Sequence, residues 1–174
     1  MNRKTFIIAM LIPMIAILAF IGYNYYTYST GEEILLKTVP VDPWDLFRGD
    51  YVNLRYEIST INLSRTPHEG DFTANREIYT VLSEGEKFWS VTSVGKNKPL
   101  LQKNEVCMKG RVISSYDNML RVEYGIESYF VPEGKGRDIE MNIRDASVKV
   151  SVDSNCRPII KELYIKDEPV KFGN

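Results

Sequence analysis

The side chains best suited to chemistry gather in VDPWDLFRGDYVNLRYEIS, residues 41–59, which holds three aspartates, two arginines and four aromatic rings. Asp42, Asp45, Asp50 and, further along, Glu133 could supply paired carboxylates for acid and base work. In glycoside hydrolysis such pairs stand about 5–9 Å apart. Arg48, Asp50 and Tyr51, with Glu133, make the candidate functional surface. The competing reading pairs Arg48 with Asp45 or Asp50 to hold a turn, at modest net energy. No metal site or cofactor is expected: His68 is the sole histidine, and no CxxC or HxxxH spacing occurs. Glu133-Gly134-Lys135-Gly136-Arg137 lacks the spacing and the Ser/Thr of a phosphate loop, so it reads as a turn.

Local sequence accounts for how these residues would be held. Asp42-Pro43 resembles a helix N-cap followed by proline at the first helical position, where its missing N–H costs nothing. Asp45 complements the open N–H groups of that turn, and Gly49 can take the left-handed conformation that ends it. From Val52 to Ser59 the chain alternates. Val52, Leu54, Tyr56 and Ile58 share one face; Asn53, Arg55 and Glu57 share the other, the pattern of a strand with one buried side. Leu54 and Tyr56 are therefore expected in the core, the Tyr56 hydroxyl reaching a polar partner at its edge.

Period-two patterning dominates the rest of the chain. Strands are expected over 34–39, 77–82, 88–94, 105–114, 120–126, 129–131, 148–152 and 158–165, with an irregular loop over 61–76. Tyr116-Asp117-Asn118 is a hairpin turn. Gly136 to Arg144 offers the one internal helix, with Ile139 and Ile143 four apart. The expected fold is mainly β: a small antiparallel barrel or sandwich of about eight strands with one short helix, preceded by a single N-terminal transmembrane helix.

That N-terminal segment starts with Asn2-Arg3-Lys4 and runs 17 residues without a charge, Phe6 to Gly22. Tyr23, Tyr25, Tyr26 and Tyr28 extend it with rings suited to a membrane interface. A cleaved secretory signal is the alternative, but cuts after Ala19 or Gly22 put Ile17 or Phe20 three residues back, where small side chains are needed. An uncleaved anchor over residues 1–28 is expected, with its start in the cytoplasm and residues 29–174 forming one extracytoplasmic domain. In an oxidising space Cys107 and Cys156 could form a disulfide. The alternative is two small, half-buried side chains. The chain carries 22 basic and 23 acidic side chains, which gives no basic excess to draw it onto nucleic acid.

Gly49-Asp50-Tyr51-Val52-Asn53-Leu54-Arg55-Tyr56 matches, position by position, the motif that names the bacterial GDYXXLXY family. The flanking VDPWDLFR and Tyr129-Phe130-Val131-Pro132-Glu133-Gly134 also resemble that family's recurrent segments. The resemblance implies a membrane anchor with an outer domain and no established reaction. It further implies a polytopic membrane-protein partner, because members are similar to, or encoded beside, the tail portions of large polytopic membrane proteins. A non-catalytic accessory or binding module is the expected role. The alternative is a hydrolase acting on an envelope substrate, since FRGDYVNLRY faintly resembles the segment of signal peptidases in which RGD precedes an apolar strand. No Ser-Met pair stands here to provide that family's nucleophile.

Overall fold

The computed structural model describes residues 3–40, 51–132, 139 and 143–171. Helix α1 (Arg3–Thr30) runs unbroken through Pro13. An 18-residue window within Ile7–Thr30 reaches a mean hydropathy of 2.2, so the helix is long and apolar enough to cross a membrane. At Gly31 the helix gives way to strand. A Cβ there would lie 2.7 Å from the Thr27 carbonyl oxygen and 2.9 Å from that of Val152, so only glycine lets the chain turn this close to its neighbours.

Twelve strands are found among the described residues: β1 (Glu32–Val39), β2 (Tyr51–Asn53), β3 (Arg55–Tyr56), β4 (Thr60–Asn62), β5 (Glu77–Glu84), β6 (Trp89–Gly95), β7 (Glu105–Tyr116), β8 (Met119–Glu123), β9 (Ser128–Phe130), β10 (Ala146–Val152), β11 (Pro158–Ile165) and β12 (Glu168–Pro169). They form two five-stranded sheets, in the orders β12-β11-β10-β1-β3 and β4-β8-β7-β5-β6, and a ribbon of β2 with β9. Every strand pairing is antiparallel. Leu36, Val148, Val150 and Leu163 of the first sheet join Leu82, Met108, Val112 and Leu120 of the second in one buried cluster. The mainly β fold is thus as the alternation predicts, and the N-terminal apolar helix as the uncharged run of residues 6–22 predicts.

The strand count rises to twelve because Val52–Ser59 is not one strand, β4 takes up the start of the expected loop, and β12 pairs with the end of β11. Its alternation is real: Val52, Leu54, Tyr56 and Ile58 are buried, while Asn53, Arg55 and Glu57 are not. Yet β2 pairs with β9, β3 with β1 and β4 with β8, and Glu57–Ser59 is a 3-10 turn. The segment therefore turns a corner between sheets while keeping one face inward, and periodicity alone cannot register a change of partner. The strand expected over 120–126 stops at Glu123, because Gly125 adopts φ +79°. The hairpin at Tyr116-Asp117-Asn118 is present, with Asp117 and Asn118 both at positive φ, as a two-residue turn of the twist-matched type requires. The 61–76 segment is largely irregular beyond β4. Of the helix expected over 136–144, Ile139 is helical and buried and Ile143–Asp145 is a 3-10 turn; residues 136–138 and 140–142 lie outside the described residues.

Candidate functional site

Of the sequence-predicted residues, Asp42, Pro43, Asp45, Arg48, Gly49, Asp50 and Glu133 lie outside the described residues. Tyr51 opens β2, its backbone opposite Phe130. Leu54 and Tyr56 are 1 % and 0 % exposed. The Tyr56 hydroxyl donates to the Ile126 carbonyl at 2.6 Å, and the Leu54 N–H donates to the Glu127 carbonyl at 2.6 Å. Two consecutive residues of one loop thus receive two residues of the motif. Burial raises the Tyr56 phenol well above its ordinary range, and the charge of Glu127 raises it further. Tyr56 is a neutral donor that fastens the corner.

Glu127 is the residue that sequence reasoning missed. Its carboxylate accepts the backbone N–H groups of Tyr124 at 2.6 Å and Gly125 at 2.8 Å, closing the turn that ends β8. The available signal was a turn glycine followed two residues later by a carboxylate. Burial raises its pKa, three backbone hydrogen bonds oppose that shift, and Glu123 adds to it. A carboxyl raised in the fold keeps its proton to higher pH than its unfolded counterpart, so the folded state binds more protons between the ordinary carboxylate value, about 4.3, and the raised one. Stability should therefore fall as pH climbs through that window. Glu127→Gln cannot titrate and should lose this slope, which unfolding midpoints of both proteins across the acid range would reveal.

Two clefts meet at Glu127. The smaller, about 100 Å³, is lined by motif residues Asn53, Leu54 and Arg55 together with Ser59, Arg121 and Glu123. The larger, about 860 Å³, runs from Glu123 and Glu127 past Lys109 and Arg111 to Tyr23 and Asn24 of α1. Lys109 is paired with Glu77 at 2.9 Å; Arg111 is exposed and has no ion pair among the described residues. Among those residues no three of His, Cys, Asp and Glu come together to hold a metal ion.

At its far end the cleft reaches the foot of the helix, where Asp153 organises a joint. Its Oδ2 accepts the Thr27 hydroxyl at 3.0 Å and the Tyr23 hydroxyl at 3.3 Å. Its Oδ1 accepts the N–H groups of Asn155 at 2.8 Å and Arg157 at 3.0 Å. Thr27 is fully buried, and its carbonyl accepts the Ser151 hydroxyl at 2.7 Å. Arg157 donates to the Asn24 side chain at 2.9 Å and lies 4.9 Å from the Tyr23 ring centre. The same turn carries Cys156, bridged to Cys107 of β7 with Cα atoms 4.9 Å apart. The last two turns of α1 are in this way part of the β domain.

A family model described as GDYXXLXY protein matches residues 13–163. No curated protein and no solved structure matches the chain.

Proposed function

The chain belongs to the GDYXXLXY protein family, and on that premise we propose that it is a membrane-anchored, non-catalytic accessory domain that binds a segment of a polytopic membrane protein. One observation carries the reading: the 860 Å³ cleft runs from the foot of an apolar helix to Ile126 and Glu127, the loop that Leu54 and Tyr56 of the family motif fasten. A partner segment emerging from the bilayer beside α1 would meet the cleft first and the motif second. The motif acts on the far wall indirectly, because Leu54 and Tyr56 hold Glu127 and Ile126 in place. In this reading α1 remains attached, because Tyr23 and Thr27 are tied into the fold, and the β domain lies outside the cytoplasm.

The test places a photo-reactive residue at position 123 of the full-length chain in native membranes. A single integral membrane protein should crosslink there, and Arg111→Glu or Tyr51→Ala should remove that product from chains that still fold. Crosslinks only to soluble proteins, or a product indifferent to both substitutions, would sink the proposal. A reporter fused after Asn174 should be active only outside the cytoplasm; cytoplasmic activity would overturn the topology.

A second reading, a hydrolase acting on an envelope substrate, has one observation in its favour. Glu127 is a raised carboxyl beside Glu123 at the meeting of two clefts, an environment that suits a general acid. Both of its oxygens, however, already accept backbone N–H groups, which favours the structural role.

A further inference from the structure

The β6–β7 connection, residues 96–104, reads KNKPLLQKN, with three lysines and no acidic side chain around a Pro-Leu-Leu centre. Leu100 is 99 % exposed and Leu101 45 %. Isolated exposed leucines are ordinary on protein surfaces. Here two are adjacent, and Lys96, Lys98 and Lys103 around them have no ion pair among the described residues. That combination, apolar tips with a cationic collar in a chain of net charge −1, has the chemistry of a segment that rests in an anionic bilayer surface.

The path of the loop points the same way. β6 and β7 lie on opposite sides of β5 and both run antiparallel to it, so the connection must cross β5 over one face of the sheet. One face is filled by Ile78, Leu82, Val106 and Met108 of the core. No residue of 96–104 is buried, so the loop crosses the other face. Alternation along β7 puts Cys107, Lys109 and Arg111 on that same outer face. There Cys107 holds the Cys156 turn, and Lys109 and Arg111 share the cleft with Tyr23 and Asn24 of α1. The foot of the apolar helix and the Leu-Leu loop therefore occupy one side of one sheet.

We infer that residues 96–104 form a second membrane contact, Leu100 and Leu101 entering the boundary of the acyl chains and the three lysines resting on anionic phospholipid headgroups. The inference rests on the reading of α1 as a membrane anchor. With two points of contact the outer face of the sheet is turned toward the bilayer, and the mouth of the cleft opens along the membrane surface.

The test uses the full-length chain, with its native bridge intact, reconstituted into vesicles of phosphatidylcholine with or without phosphatidylglycerol. An environment-sensitive dye is placed at Leu100→Cys, at Ile12→Cys to report on the helix, and at Tyr116→Cys in the hairpin at the far end of β7. Emission at position 100 should shift to the blue and be lost to an acyl-chain quencher, more so with phosphatidylglycerol, while position 116 stays in water. Lys96→Glu with Lys98→Glu should abolish the phosphatidylglycerol effect. Quenching at 12 but not at 100 overturns the loop contact alone. Absence of quenching at 12 overturns the anchor and the contact together. Equal quenching at position 100 in both lipid mixtures overturns the role of the lysines.

Discussion

Replacing Cys107 and Cys156 by alanine, or reducing their bridge, should destabilise the protein by about 4 kcal/mol. The bridge spans a sequence separation of 49, and closing a loop of that size removes roughly this much conformational freedom from the unfolded chain on the entropic account. For a chain of this length each kcal/mol moves the midpoint by about 2–4 °C, so thermal unfolding in detergent should fall by about 8–16 °C. Both sulfurs are buried, at 2 % and 0 % exposure, so the alanines leave small cavities that add to the loss. The bridge also ties the Asp153 turn to β7. Hydrogen exchange of the Asn155 and Arg157 amides, which donate to Asp153, should accelerate ahead of global unfolding in the reduced protein. A midpoint unchanged by reduction would show that the bridge contributes nothing, and would remove the link between the helix foot and the second sheet.

Tyr56 is the next largest expectation. Tyr56→Ala empties a fully buried site and should cost about 3–5 kcal/mol, as truncation of large core aromatics does. Tyr56→Phe keeps the ring and deletes only the hydroxyl that donates to Ile126. The cost should then be about 1–3 kcal/mol, that of leaving a buried carbonyl without its partner. Denaturant unfolding of the three proteins in parallel separates packing from hydrogen bonding. If Phe matches Tyr within error, the hydroxyl is not why tyrosine ends the motif. A cleft-shaping reason would then be needed.

Much of this architecture could be read from residue types. Alternation placed Leu54 and Tyr56 inside, because burial on one face of an extended chain imposes a period of two whatever the chain pairs with. For the same reason it could not show that Val52–Ser59 serves two different partner strands, β9 and β1, before a 3-10 turn leads into β4; the inward face stays inward around the corner. Asp117-Asn118 announced its turn through side chains that tolerate positive φ. Glu127 was silent because its acceptors are spent on backbone N–H groups that converge only once the Gly125 turn has formed. Asp153 was silent for a stronger reason: Tyr23 and Thr27, its side-chain donors, lie more than 120 residues away. Long-range polar joints leave no periodic trace. The neighbourhood of Arg48, Asp50 and Glu133 lies outside the described residues, so the motif's contribution rests on Tyr51 to Tyr56.

The joint at Asp153 has a mechanical consequence. Helix α1 enters the sheet through side-chain bonds at Tyr23, Asn24 and Thr27 and an immediate glycine turn, with no flexible tether between span and domain. A helix mounted in this way cannot spin about its own axis in a bilayer without sweeping the β domain around with it. On the proposed reading of α1 as a membrane anchor, a neighbouring helix that gripped it would set the compass bearing of the cleft.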